Sequence, residues 1–229
     1  MKGWIYFTLG RLLGKLATVR NKAWREVVRR KLGSIDPTAI IEYPLKLTHP
    51  ECIHIGRRTE IAWCGWLFAV TEYFGQRFDP EIRIGDDCTI GNHVHIVATN
   101  KILLGKNVML ADRVYISDNA HDYRNVHSPI MRSDLICCGE VHIGDDSWIG
   151  ENVCIFGDIR IGRHCVVGAN AVVNRHLPDF SVAVGAPARI IKRYNPASKD
   201  WEATDPEGRF INRSPQRNSR QVPSGGAPR

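Results

Sequence analysis

Residues 141–176 read VHIGDD SWIGEN VCIFGD IRIGRH CVVGAN AVVNRH. Cut at every sixth residue, the third position is Ile143, Ile149, Ile155, Ile161, Val167 and Val173. The first position is small or apolar, Ser147 and Cys165 included. Six is not a multiple of 3.6, so a helix would spread these residues around its surface. Apolar residues at i and i+2 instead fit one face of a short strand. The Gly-Asp or Gly-Asn that follows suits a tight corner where left-handed backbone is needed. A strand and a corner, repeated, make a coil that cannot bury its apolar face alone, whereas stacked copies share one core.

The phase extends towards the N-terminus. IRIGDD CTIGNH VHIVAT begins at residue 82, and after two extra residues ILLGKN VMLADR VYISDN runs from 102 to 119. Their third positions are Ile84, Ile90, Ile96, Leu104, Leu110 and Ile116. An earlier copy keeps the phase through Ile55, Ile61 and Leu67, and weaker fragments lie near Ile41 and Leu47. Coils of eighteen residues are therefore expected at 53–70, 82–101 with two extra, 102–119, 141–158 and 159–176. Segments 71–81 and 120–140 leave the coil, and loops on a rigid scaffold are where function usually sits. Cys88 and Cys165 fall at inward first positions, so both are expected in the core.

Composition supports this frame. The chain has 229 residues, 43% hydrophobic and 24% charged, which is ordinary for a globular protein. No run reaches the ~20 apolar residues of a membrane span. The net charge of +7 divides into +8 for residues 1–32, −5 for 33–191 and +4 for 192–229. An acidic body with basic arms argues against a nucleic-acid footprint. The seven cysteines include no CxxC pair. No disulfide framework or metal site is expected, and the reading is a reducing, cytoplasmic compartment. Arg11 and Lys15 interrupt the apolar start, so no cleaved leader is expected.

Twelve hexapeptides in phase, followed by LPDFSVAVGAPARII, resemble the hexapeptide-repeat acyltransferases over about residues 36–193. Within that group the chain is most similar to the sugar O-acetyltransferases of maltose, galactoside and nodulation-factor type, and to relatives acting on surface polysaccharides. The resemblance implies an all-β fold, a left-handed parallel β-helix. It also implies acetyl-CoA as donor with no metal, a carbohydrate acceptor and a homotrimer. Three parts are expected: a basic amphipathic helix at 1–34, the β-helix at 35–193 with its loop 120–140, and a disordered tail at 194–229.

Acetyl transfer to a hydroxyl needs a base, an oxyanion donor and positioning. His121, at the mouth of the 120–140 loop in VYISDNAHDY, occupies the register of the family's catalytic His. His127 is a distant second. Asp118 and Asp122 are the nearest carboxylates to orient it, with Asp118 preferred. The resemblance places the oxyanion donor at the Glu151 N–H and Trp148 beside the thioester arm. It places further coenzyme contacts at Ala169, Asn174, Arg175, Arg189 and Lys192. Asn92, His93 and His95 are acceptor-side candidates. The aromatic segment 63–78 reads as a core plug or a contact between subunits rather than a sugar-stacking wall.

Two other activities stay open. One is an amino-sugar N-acetyltransferase. The other is a metal-dependent enzyme like the γ-type carbonic anhydrases, for which His121 and His127 could supply two ligands. In the N-terminal arm, Ile5, Leu9, Leu12, Leu13, Leu16, Val19, Ala23 and Val27 follow helical spacing opposite Lys and Arg. Such a helix either lies on the inner face of an anionic membrane as a peripheral contact or caps the open first coil.

Overall fold

The third-position residues stack as the six-residue period requires. In the computed structural model, which describes residues 2–211, successive coils each lay down three short strands, and the coils pair in parallel. Ile55, Ile84, Leu104, Ile143 and Ile161 are successive partners on the first face. Ile61, Ile90, Leu110, Ile149 and Val167 form the second ladder. Leu67, Ile96, Ile116, Ile155 and Val173 form the third. All fifteen are buried, and each full burial contributes on the order of 1.5–3 kcal/mol. The weak fragments are a complete first coil, with Ile35, Ile41 and Leu47 paired to Ile55, Ile61 and Leu67.

The corners work differently from the expectation. In the first two hexapeptides of a coil the left-handed residue is the sixth, not the glycine at the fourth. Asp87, Asn107, Asp146, Asn152 and Asn170 take φ of 55–60° there, as short polar side chains tolerate. The glycines answer to closeness instead. A Cβ on Gly85 would meet the Gly105 carbonyl oxygen at 2.3 Å. Position five adds a hydrogen bond between coils. Asp86, Asp112, Asp145 and Asp179 accept from the backbone N–H of Arg57, Asn92, Lys106 and Arg163.

Polar residues inside the coil are satisfied. The Ser147 hydroxyl donates to the Gly162 carbonyl and accepts from the Cys165 N–H, and Thr59 does the same between Gly85 and Cys88. Cys88 and Cys165 are buried as expected, and that burial pushes both thiols up.

The N-terminal helix, Lys2–Arg29, closes the first end. Trp24, Val28 and Leu32 join the core beside Ala39, Ile41 and Leu45. Of the apolar run read from spacing, Leu16, Val19 and Val27 are exposed rather than packed on the coil. The side chains of Ile5, Leu9, Leu12 and Leu13 lie outside the described residues. At the other end order runs past 193. Ser181–Val184 pairs parallel to the second face, then Arg189–Asn195 and Asp200–Ala203 add antiparallel strands. The boundary at 194 is therefore corrected, since Tyr194 pairs with Trp201 and packs on Phe180. The expected tail beyond 211 lies outside the described residues.

Both excursions are ordered hairpins. Glu72–Tyr73 pairs with Gln76–Arg77, and Asn119–His121 pairs with Leu135–Cys137.

Candidate active site

His121 ends the outgoing strand of the longer hairpin, opposite Leu135. Its ring is exposed and makes no hydrogen bond among the described residues. It meets the Tyr73 ring edge-on, with centroids 5.5 Å apart. An accessible imidazole on a strand, held by packing, suits proton transfer with an incoming substrate.

Neither neighbouring carboxylate orients it. Asp118 is fully buried. It accepts from the Thr99 N–H at 2.7 Å, the Thr99 hydroxyl at 2.9 Å, the Asn100 N–H at 2.8 Å and the Asn119 side chain at 3.1 Å. Thr99 and Asn100 widen the corner of the preceding coil, and a carboxylate satisfies the two N–H groups left there. Asp118 thus ties the root of the hairpin to the coil, which corrects its expected role. Asp122 is engaged by Arg124, whose hydrogen bonds hold its carboxyl down at about 2. His127 stands further along the same loop, its N–H bonded to the Asn125 side chain.

The coenzyme candidates gather on the second face and its edges. Met109, Trp148, Val166, Val182 and Lys192 are successive partners across that sheet. Trp148 is 51% exposed, and three strand spacings put Lys192 about 14 Å from it. Glu151 and Ala169 turn the corner beyond this face in adjacent coils. A Cβ on Gly150 would come 2.7 Å from the Ala169 nitrogen. Gly150 and Asn152 donate their N–H groups to Val167 and Asp112. Like those of Trp63, Asp86, Asp112, Asp145 and Ala169 at the same hexapeptide position, the Glu151 N–H has no acceptor among the described residues. Its side chain pairs with Arg113.

The reason is vertical. In four other corners an aspartate one coil on caps the position-five N–H, whereas the residue above Glu151 is Ala169. An unpaired backbone donor at an exposed corner can take an oxyanion.

Asn174 and Arg175 lie past the next corner, apart from the Trp148 row. The 185–188 turn joins the two regions, because Val172 donates to Gly185 and Ala188 donates to Val172. Arg189 follows, donating to the Ala188 carbonyl.

On the third face, His95 stacks on Trp66 with centroids 4.6 Å apart, and Trp66 stacks on Phe68 at 4.9 Å. Lys46 sits over Trp66 at 3.6 Å. These ring faces are occupied by one another. Burial, with help from Lys46, pushes the His95 imidazole down. Asn92 is tied to Asp112, and His93 leans on Trp63. A groove of about 770 Å³ on the first face, lined by His142, Arg160 and His176, holds none of the expected site residues. Among the described residues, no three His, Cys, Asp or Glu side chains converge as a metal-binding group.

Tyr73 and Gln76 entered the sequence reading only as part of the aromatic segment 63–78, with no role of their own. The pairing that reveals them spans 58 and 59 residues, and the only local signal was the Phe74-Gly75 turn between them.

Parts of the chain are similar to known proteins. The family model "Bacterial transferase hexapeptide (six repeats)" matches residues 140–175. Rv3034c of Mycobacterium tuberculosis, named as an acetyltransferase, is 38% identical over 126 residues, 55% of this chain and 41% of its own. WbbJ of Escherichia coli, named for O-acetyl transfer in lipopolysaccharide biosynthesis, is 35% identical over 53% of this chain and 65% of its own. The matched stretch thus spans less than two thirds of either relative. Galactoside O-acetyltransferase of Escherichia coli is 26% identical over 78% of this chain and 72% of its own. Among solved structures, a maltose O-acetyltransferase from Clostridium difficile 630 has a TM-score of 0.50 and 27% identity, covering 80% of this chain and 84% of that one. AntD, an N-acyltransferase from Bacillus cereus, shares the fold with a TM-score of 0.62 at 20% identity, over 74% of this chain and 88% of that one. With its ladders and these matches together, the chain carries bacterial transferase hexapeptide repeats over residues 140–175 and is similar to acetyltransferases that share them.

Proposed function

We propose that the protein transfers acetyl from acetyl-CoA to a hydroxyl of a carbohydrate, in the assembly of a surface polysaccharide. The observation that carries this reading is the exposed His121 imidazole, held at the end of a hairpin strand against the Tyr73 ring. The names of WbbJ and of the galactoside and maltose enzymes point to O-acetyl transfer on sugars.

In the proposed reaction the acceptor hydroxyl gives its proton to His121 as its oxygen attacks the thioester carbon. The carbonyl electrons move to an oxyanion held by the Glu151 N–H. Collapse breaks the C–S bond, and the imidazolium returns the proton to the departing thiolate. The products are the acetyl ester and free coenzyme A. Trp148 flanks the thioester arm. Arg189 and Lys192 offer charge to the coenzyme phosphates, and Ala169, Asn174 and Arg175 line the remainder of its path.

His121 leaves the coil after the third face, whereas Trp148 stands on the second. We therefore place the complete site between neighbouring copies of a homotrimer. The coil is taken as left-handed, the compartment as cytoplasmic. The exposed Leu16 and Val19 of the basic helix are taken to touch an anionic membrane.

The test is a screen of sugar acceptors with several acyl-CoA donors. An ester product, cleaved by hydroxylamine, is expected, while a stable amide would point to the amino-sugar reading. His121→Ala should lower kcat about 10²–10⁴-fold with coenzyme A affinity unchanged. Wild-type turnover by that variant, or a trapped acyl-enzyme, would overturn the mechanism.

A further inference from the structure

The short hairpin at 72–77 has a structural relation to His121 that a surface loop would not need. Phe74 and Gly75, at its tip, both take positive φ, 44° and 86°, the backbone of a two-residue turn that matches strand twist. The turn sets Tyr73 directly across from Gln76. Both then reach the longer hairpin. The Gln76 side-chain oxygen accepts the Leu135 N–H at 2.7 Å, and its nitrogen donates to the Leu135 carbonyl at 3.3 Å. The Tyr73 hydroxyl donates to the Met131 carbonyl at 2.8 Å.

Leu135 is the residue directly opposite His121. Its two backbone groups point away from the His121 strand, at the open edge of a two-stranded ribbon. Such a ribbon is marginally stable by itself, and unpaired edge groups cost stability when buried. Leu135 is 8% exposed. The Gln76 amide supplies the donor and the acceptor that a third strand would supply. The Tyr73 ring, meanwhile, meets the imidazole itself.

We infer that Tyr73 and Gln76 are positioning residues for the acetyl-transfer reaction: they fix the longer hairpin so that the His121 ring stands in one place. The inference rests on the reading of His121 as the base. A base displaced by about 1 Å can lose roughly 10²-fold in rate, so a device that holds the ribbon has a direct kinetic consequence.

The experiment uses the full chain and begins with a readout independent of turnover. Gln76 does not touch the His121 ring, so Gln76→Ala tests the transmission through Leu135. The His121 imidazole resonance should move and broaden in NMR spectra. Exchange of the Leu135 amide should rise about tenfold, as expected for the loss of one hydrogen bond. With acetyl-CoA and the acceptor found in the screen, kcat should fall about 10- to 100-fold and the KM for acetyl-CoA should hold. Tyr73→Phe, which keeps the ring and loses the bond to Met131, should show a smaller fall than Tyr73→Ala. If Gln76→Ala fails to fold, Gln76→Glu retains the acceptor for the Leu135 N–H and should show the same changes reduced. An unmoved His121 resonance with unchanged kcat in the Gln76 variant would overturn the positioning role and leave the base reading intact. Full turnover by His121→Ala would instead remove the base reading, and this role with it.

Discussion

Ala169 stands one coil beyond Glu151, in the place from which Asp112 caps the N–H of Asn92. With a methyl group where a carboxylate would fit, the Glu151 N–H has no side-chain cap. Ala169→Asp should supply one. The coil already accepts aspartate at this position elsewhere, so the melting temperature should stay within a few degrees. Removing an oxyanion donor costs about 10²–10³-fold in kcat. Steady-state kinetics with slowed exchange of the Glu151 amide would bear this out. Unchanged kcat with a protected amide would move the oxyanion site elsewhere.

Asp118→Asn tests the root of the hairpin. The amide nitrogen would face a donor already present at Thr99 or Asn100, leaving a buried N–H unsatisfied. Denaturant unfolding should show a loss of about 1–3 kcal/mol. An equally stable variant would mean that the two N–H groups find other acceptors.

Acid should loosen the outer loop before the coil. The Asp122 carboxyl lies at about 2, below its ordinary 3.8, because Arg124 hydrogen-bonds to its ionised form. A folded-state value below the unfolded one favours the ordered turn above about pH 4, and that preference is lost as pH falls towards 2. The Arg124 side-chain NMR signals should follow this titration. Asp122→Asn should make them insensitive to pH.

Gly85→Ala addresses the corners. The added methyl would press on the Gly105 carbonyl oxygen of the next coil, a backbone atom that cannot swing aside. A loss of about 1–3 kcal/mol is expected by thermal or denaturant unfolding. A neutral result would show that the coils can separate locally.

The helix can be divided by substitution. Val28→Asp places a charge in the core that closes the first coil and should lower the melting temperature sharply. Leu16→Glu with Val19→Glu alters exposed positions and should leave it unchanged. If the membrane reading holds, the double variant should lose binding to vesicles of anionic lipid in co-sedimentation. Failure of the unaltered chain to bind such vesicles would end that reading.

The ladders were legible because each depends on one apolar residue every six, and Ile55 to Val173 follow that rule by sequence alone. The corners were half legible. Glycine appeared as the source of left-handed backbone, yet Asp87 and Asn107 take that conformation, while Gly85 makes room for a neighbouring coil. Helical spacing selected Leu16, Val19 and Val27, but among the described residues the apolar contacts with the coil come from Trp24 and Val28 late in the helix and Leu32 just past it. His121 was singled out because its place at a loop mouth matches the register of the family the sequence resembles. Its neighbours Tyr73 and Gln76 were not, because no period connects two hairpins that meet only in space. Asp118 was found and misread, since a carboxylate beside a histidine in sequence can turn inward to the backbone.

The two ends of the coil carry a last consequence. A stack of parallel strands is a template, and a second molecule offering its first coil to an uncovered end could continue all three ladders as a fibre. Here Val28 and Leu32 cover one terminus. At the other, the strands through Ala203 extend the second face with antiparallel partners, and the 185–188 turn occupies the backbone of Val172 on the third. Lengthwise growth is thereby opposed at both ends, and the proposed trimer would have to form sideways, through the faces and hairpins that also carry His121 and Trp148.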